Sequence, residues 1–273
     1  MERIALYNDS FQNWKKYNIP VAQLILTDIP YQLGKDVYAS SKELFADGKS
    51  IQSGKLKEKK PFFDTDTKEG FRLEEFFSFC SKLVKKEPKK VNDAGAMFLF
   101  CAFEQTNEII ETAKRYGFNH YQFFVFYKSS SVQCLKTNIK AVSNCEYGLL
   151  LYRDKLPKFN SDGKQFMTCR PYIKDTVTPR VHPTQKSVFV LEEIIRRYTS
   201  VNDVVIDLCA GSGTTVLACA NLNRKCYGFE IKKEYVKAFY DKIIKCVNKD
   251  MFSNVEFANY KKEIEKKKND KLI

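Results

Sequence analysis

No apolar stretch in this 273-residue chain approaches the ~20 residues that a bilayer-spanning helix requires. Met1-Glu2-Arg3 does not begin a secretory signal either. Histidine is confined to His120 and His182, and the nine cysteines contain no Cys-x-x-Cys pair. That scarcity argues against a zinc site and for free thiols in a reducing cytoplasm, with Cys209 and Cys219 reading as small hydrophobic fillers. What is present is ample core material. Hydrophobic residues make up 44% of the chain, with 22 Phe and 15 Tyr, enough for one α/β domain with insertions. The formal charge of +13, from 46 basic and 33 acidic residues, favours a polyanionic partner through neutralised phosphates. Part of that excess lies in the tail from Lys261 to Lys271, so charge alone supports a nucleic-acid partner weakly.

Periodicity divides the chain into alternating elements. Strands are expected at Arg3–Tyr7, Val21–Thr27, Ala96–Cys101, Tyr121–Tyr127, Glu146–Tyr152, 203–208 and 225–230. Helices are expected at Phe71–Val84, Glu104–Tyr116 (closed by Gly117), Ser187–Tyr198, 214–222 and 232–247. Residues 34–70 turn polar and Lys/Gly/Ser-rich and read as a mobile insertion. Residues 152–181 show no clear period, and residues 249–273 read as a charged tail, a solvated helix or a frayed end. Alternation of this kind implies a mostly parallel twisted sheet with helices on both faces. Ligands in such sheets lie beyond the carboxyl ends of the strands.

Two strand ends carry unusual chemistry. The apolar run Val204-Val205-Ile206 leads into Asp207-Leu-Cys-Ala-Gly-Ser-Gly-Thr-Thr215. Its paired glycines let backbone approach a ligand, and the following helix aims its first amides at the same place. A dinucleotide loop would want a third small residue where Val216 stands, which weakens that alternative. The second signal is Thr27-Asp28-Ile29-Pro30-Tyr31, after Leu24-Ile25-Leu26. Taken alone it reads as a strand-ending turn.

Read in order, Asn8-Asp9-Ser10, Asp28-Ile-Pro-Tyr31, Asn144-Cys-Glu-Tyr147, His182-Pro-Thr-Gln-Lys186, Asp207–Thr215 and Tyr227-Gly-Phe-Glu230 resemble the β-class amino-group DNA methyltransferases. These act on adenine N6 or cytosine N4. The chain is similar, more loosely, to orphan methyltransferases of phages and prophages. The resemblance implies a Rossmann-like S-adenosylmethionine-dependent fold over residues 1–248, circularly permuted so that the catalytic half precedes the cofactor loop. It implies target recognition within 152–181, double-stranded DNA as partner, and the cytoplasm of a bacterial or phage-infected cell as location. A homodimer is an expectation by analogy with the class.

Residue by residue, the likeness assigns Asp28, Ile29, Pro30 and Tyr31 to catalysis. The Asp28 carboxylate and the Ile29 carbonyl would accept the two N–H groups of the target amine, and Tyr31 would stack on the displaced base. Most relatives have Pro where Ile29 stands, and Pro30 still favours an extended Ile29. Cofactor contacts are assigned to Asp9, Asp28, Asp207, Cys209, Ala210, Gly211, Ser212, Gly213, Thr214, Thr215 and Glu230, with Thr184 and Lys186 holding the methionine carboxylate. Glu230 would take the ribose hydroxyls. Two rivals among the residues are a helix N-cap for Asp9 and a plain surface charge for Glu230. No metal is expected, and His182 reads as a loop hydrogen-bonder. Lys35, Lys136, Lys140, Lys158, Lys164, Arg170, Lys174 and Arg180 are expected to rim the cleft, mostly on phosphates. Asp at the head of the catalytic motif favours adenine. The alternatives are cytosine N4 methylation, an RNA or protein substrate, and an idle DNA-binding protein that keeps the fold.

Overall fold

Alternate residues of each central strand face opposite sides of one sheet, and both sides are covered. The computed structural model describes residues 2–31, 71–86, 88, 92–129, 143–163, 165–247 and 255–257. Its strands are β1 (Glu2–Tyr7), β2 (Leu24–Asp28), β3 (Ala96–Cys101), β4 (His120–Tyr127), β5 (Cys145–Tyr152), β6 (Cys169–Pro171), β7 (Val204–Asp207), β8 (Lys225–Phe229) and β9 (Val255–Phe257). The helices are α1 (Leu73–Leu83), α2 (Thr106–Arg115), α3 (Val188–Tyr198), α4 (Thr214–Asn221) and α5 (Lys233–Ala238). The strand order is β6-β4-β5-β3-β2-β7-β8-β1-β9. Every pairing is parallel except those of β5, which runs against both β3 and β4. The expected α/β architecture, mostly parallel with helices on both faces, is therefore the one observed.

Period two in the strands sorts the core. Ile4, Leu6, Leu24, Leu26, Phe98 and Phe100 pack with α3, α4 and α5. Their neighbours Ala5, Tyr7, Ile25, Met97 and Leu99 pack with α1 and α2. In α1 the residues Phe76, Phe77, Cys80 and Leu83 make one buried stripe, and Glu74, Glu75 and Lys82 lie at the ends that suit the helix dipole. Each fully buried Phe contributes roughly 1.5–3 kcal/mol, and Phe76, Phe77, Phe98, Phe100 and Phe124 are all in that class.

Four elements differ from the sequence expectation. Phe11–Tyr17 forms a 3-10 helix capped by Ser10. Its apolar residues Phe11, Trp14 and Tyr17, three apart and packed on the core, match a three-residue turn better than an α-helical one. Within 152–181 the short strand β6 pairs with β4. Residues 255–257, within the stretch read as tail, add β9 to the sheet edge beside β1. The helix expected over 232–247 ends at Ala238 and continues as a π turn, Phe239–Ile243, and a 3-10 turn. That change of pitch sets Phe239 against Gly213 while the Tyr240 hydroxyl bonds the Leu6 main chain. The insertion read over 34–70 lies, apart from its neighbours, outside the described residues. No helix among the described residues is long and apolar enough to cross a membrane.

Candidate active site

Strands β2 and β7 are direct neighbours, so the two chemically unusual strand ends meet. Thr27 makes the joint: its hydroxyl donates to Asp207 Oδ1 at 2.7 Å and accepts from the Cys209 N–H at 3.1 Å. The carboxyl edge of the sheet thus carries Asp28, Asp207 and Glu230 on three strands that are near neighbours in the order β2-β7-β8.

The glycine loop is built by two distinct constraints. Gly211 and Gly213 both have left-handed φ, 51° and 77°, a region where glycine bears no Cβ penalty. A Cβ on Gly211 would meet nothing nearer than His182 at 3.9 Å, whereas one on Gly213 would lie 2.4 Å from the Phe239 ring. Gly211 would therefore tolerate a Cβ sterically, in ordinary contact with His182, whereas the space at Gly213 is filled from within. The close helix–strand contact that a third loop glycine would supply comes instead from β8. A Cβ on Gly228 would meet Val216 at 2.9 Å, so the bulky Val216 of α4 sits over a strand glycine. Ala210, Ser212, Thr214 and Thr215 are buried.

Glu230 is pinned by backbone. Its Oε2 accepts from the Gly211 N–H at 2.9 Å and its Oε1 from the Lys232 N–H at 2.7 Å. Burial pushes its carboxyl up, against those two N–H groups. A solvated surface charge would not be held this way. Asp9 is held as well, by the Ser10 N–H, Asn13 and the Tyr17 hydroxyl. Burial opposes its ionisation, but these donors keep its carboxyl below the usual value. The cap of the 3-10 helix is Ser10, whose hydroxyl accepts from the Gln12 N–H.

At the tip of β2 the residues form a cluster of alternating charge. Lys186, only 8% exposed, places Nζ 2.9 Å from Asp28 Oδ2, 3.0 Å from Glu146 Oε2 and 3.2 Å from the Tyr31 hydroxyl. An ammonium has three hydrogens, and all three are spoken for. Lys186, read as a holder of the cofactor's carboxylate, directs its ammonium at Asp28 and Glu146. Burial opposes its charge, yet Asp28 and Glu146 hold its ammonium well above the ordinary lysine value. Burial likewise works against Glu146, but the Lys186 and Lys128 cations prevail and bring its carboxyl down to about 2. Asp28 is pushed up by burial, partly countered by Lys186. Its Oδ1 is buried and has no hydrogen-bond partner.

The turn after Asp28 is fixed on both sides of the Ile29 peptide. The Ile29 N–H donates to the Phe100 carbonyl at 3.2 Å, and the Pro30 carbonyl accepts from Gln105 at 3.0 Å. Thr27, Gln105, Lys128 and Glu146 were not among the residues singled out by pattern. Glu146 does fall within Asn144–Tyr147, and that stretch anchors itself reciprocally. The Asn144 side chain donates to the Lys128 carbonyl and the Lys128 N–H donates to the Asn144 carbonyl.

The loop before α3 runs alongside the glycine loop. His182 Nδ1 accepts from the Thr184 N–H at 3.2 Å, which leaves the proton of the neutral ring on Nε2. Burial, together with Lys232, Lys186 and Arg180, lowers the imidazole to about 4, so it is uncharged at neutral pH. Thr184 itself is exposed, with its hydroxyl near the same ring. Of the basic residues expected at a nucleic acid, Lys35, Lys136, Lys140 and Lys164 lie outside the described residues. Lys158 is committed to Asp93 and Asp203 at 3.2 and 2.8 Å, and Arg170 to Glu193 and the face of Phe166. Those two hold the 152–181 segment against the body, where each finds a carboxylate. Lys174 and Arg180 are exposed.

Asp207 offers a test of this electrostatic description. It is buried, and burial raises its carboxyl to about 6 against the donors Thr215, Thr27 and the Cys209 N–H. A folded-state value above the unfolded one favours folding below the unfolded value, and that advantage is lost as pH rises through about 6. The buried charge therefore costs on the order of 2–3 kcal/mol at neutral pH. Asp207→Asn is expected to raise the Tm of the ligand-free protein at pH 7 by about 4–12 °C. The wild type should also gain Tm on acidification from pH 7 to 5 by a slope the variant lacks. Parallel Tm–pH curves would show that Asp207 is not the group responsible.

Comparison with known proteins places the chain in a family. A family model for N6/N4 DNA methylases matches residues 22–241. The DNA adenine methyltransferase YhdJ of Escherichia coli (strain K12) is 26% identical over 260 residues, covering 86% of this chain and 80% of that protein. Two other curated relatives are matched only locally, the aligned part spanning 17% and 33% of their own length. Among solved structures, the M1.HpyAVI–SAM complex superposes with a TM-score of 0.59 at 25% identity, over 87% of this chain and 98% of that one. PvuII DNA methyltransferase, described as cytosine-N4-specific, superposes with a TM-score of 0.60 at 17% identity, over 92% and 94%. With the family model aligned from β2 through α5, the chain belongs to the N6/N4 DNA methylase family.

Proposed function

We propose that this protein transfers a methyl group from S-adenosylmethionine to the exocyclic N6 of adenine in double-stranded DNA, at a specific sequence and after flipping the base. The observation that carries the reading is Asp28 Oδ1, a buried carboxylate oxygen without a partner, one residue from the Thr27 hydroxyl that touches the glycine loop. An unpaired buried acceptor is costly, and an incoming N–H donor relieves that cost.

The residues fit the cofactor. Asp207 is a buried carboxylate with an unmet need for a cation, which suits an ammonium group. The uncrowded, Cβ-free backbone at Gly211 and the remaining lone pairs of Glu230 suit a chain and a pair of hydroxyls. When bound, S-adenosylmethionine supplies an activated methyl. The protein's part is orientation and electrostatics. Asp28 Oδ1 and the Ile29 carbonyl accept the two amine hydrogens, so the nitrogen lone pair, otherwise conjugated with the ring, is directed at the methyl. Tyr31 lends its ring to the displaced base while its hydroxyl stays anchored by Lys186, offsetting part of the unstacking cost. The raised proton affinity of Asp28 suits the moment at which the methylated nitrogen sheds a proton. Of the basic residues expected at DNA, the exposed Lys174 and Arg180 are the ones we assign to phosphates, Arg180 also donating to the Pro183 carbonyl.

Cytosine N4 is the second reading, because the family covers both amines. The adenine choice rests on Asp, where relatives acting on cytosine more often begin the motif with Ser. Incubating unmethylated genomic DNA with the protein and labelled S-adenosylmethionine, then digesting to nucleosides for mass spectrometry, should give N6-methyladenine. N4-methylcytosine as the sole product would reject adenine, and label confined to RNA or protein would reject DNA.

A further inference from the structure

Lys128, Glu146, Lys186 and Asp28 form a continuous row of alternating charges at the tips of β4, β5 and β2 and the loop before α3, and the reading above gives no role to Lys128 or Glu146. Glu146 Oε1 faces Lys128 Nζ, and its Oε2 lies 3.0 Å from Lys186 Nζ. Lys186 in turn lies 2.9 Å from Asp28 Oδ2. The Tyr31 hydroxyl closes the ring, 3.2 Å from Lys186 and 3.4 Å from Glu146 Oε2. From outside, Lys128 Nζ rests over the Tyr172 ring, and the Tyr172 hydroxyl accepts from the Ser187 N–H. The backbone next to Lys186 is thereby tied to the same row.

The chemistry of this row concerns which oxygen of Asp28 is free. Lys186 is a donor only, and it occupies Oδ2. Oδ1 is left as the open acceptor. An unopposed Lys186 would be free to swing along the carboxylate and neutralise Oδ1, the atom a target amine requires. Glu146 draws the ammonium from the opposite side, and Lys128 fixes Glu146. Its position follows from strand direction. Because β5 is antiparallel to its neighbours, its first residues, not its last, lie at the carboxyl edge beside Asp28.

We propose that Glu146 is a positioning residue for methyl transfer, acting through Lys186 to keep Asp28 Oδ1 free of any donor from the protein. This rests on the methyltransferase reading above. Glu146 itself touches no reacting atom.

The full chain, assayed for transfer of tritiated methyl from S-adenosylmethionine to unmethylated bacterial genomic DNA, gives the test. Glu146→Gln keeps the shape and removes the charge. It should lower kcat on the order of 10²-fold, the scale of a small misplacement of reacting groups. Cofactor affinity by calorimetry should stay within about threefold, since the partners of Glu146 are Lys128, Lys186 and Tyr31 and not the glycine loop. Lys186→Gln should lower kcat comparably, and the double variant should be no worse than Lys186→Gln alone, because the second change then has nothing left to act through. Full kcat in Glu146→Gln, or losses that multiply in the double variant, would overturn the inference while the wild-type enzyme remains active. A wild type that methylates no DNA would instead overturn the underlying reading, and the inference with it. Should Glu146→Gln not fold, Lys128→Gln removes the outer cation from a partly exposed site. It must still reduce kcat severalfold at unchanged cofactor affinity, and wild-type kcat there would equally refute the proposal.

Discussion

Asp28→Asn is expected to lower kcat by about 10³-fold, the upper end of what losing one preorganised polar contact costs, while S-adenosylmethionine still binds within about threefold. The substitution changes two or three atoms, yet the local geometry makes it severe. Lys186 Nζ, 2.9 Å from Oδ2, can only donate, so it selects the oxygen of the new amide. The NH2 group is thereby turned to the position of Oδ1, the buried atom now lacking a partner. An acceptor facing the target amine becomes a donor facing a donor. The glycine loop, Glu230 and Asp207 are untouched, and for that reason cofactor binding survives. Parallel kinetics and calorimetry check both halves. A variant within tenfold of wild-type kcat would remove Asp28 from the chemistry.

Gly213→Ala should be the most damaging small substitution for stability. The new Cβ would sit 2.4 Å from Phe239 Cδ2 at a backbone φ of 77°. The left-handed conformation costs roughly 1–2 kcal/mol for an L side chain, and overpacking typically adds 1–3. A loss of about 3 kcal/mol, seen as a Tm lower by about 6–12 °C, is expected. Phe239→Leu introduced alongside should recover the steric part and leave the backbone part. Gly211→Ala is the contrast, since its φ is also positive but its surroundings are open to 3.9 Å. It should cost the ligand-free protein only about 1–2 kcal/mol while weakening the cofactor. Equal Tm losses at the two glycines would contradict the assignment of Gly213 to internal packing.

Much of the scaffold was legible in pattern alone. Strand β3 falls on the residues its unbroken apolar run marks, and α1 follows the spacing of Phe76, Phe77 and Cys80. The carboxylates Asp28, Asp207 and Glu230 were legible because each terminates an apolar run, and a parallel sheet puts such termini on one edge. Other features lay beyond any local pattern. The 3-10 helix at Phe11–Tyr17 has too short a period for a helical or strand reading. β9 is three residues long within a lysine-rich stretch, and its edge position is a matter of pairing. Lys158 and Arg170 read as free basic residues until their carboxylate partners, far away in the chain or across a loop, were in place.

Order and period in the chain determined the elements, the sheet type and which strand ends carry chemistry, because burial and hydrogen bonding act on neighbouring residues with fixed repeats. The direction of β5, the pairing of Lys186 with Asp28, and the choice of Phe239 to fill the space at Gly213 were decided only by the folded molecule. Each of these depends on groups brought together from distant parts of the chain, where the energy of a charge or a contact is set by what surrounds it and not by what precedes it.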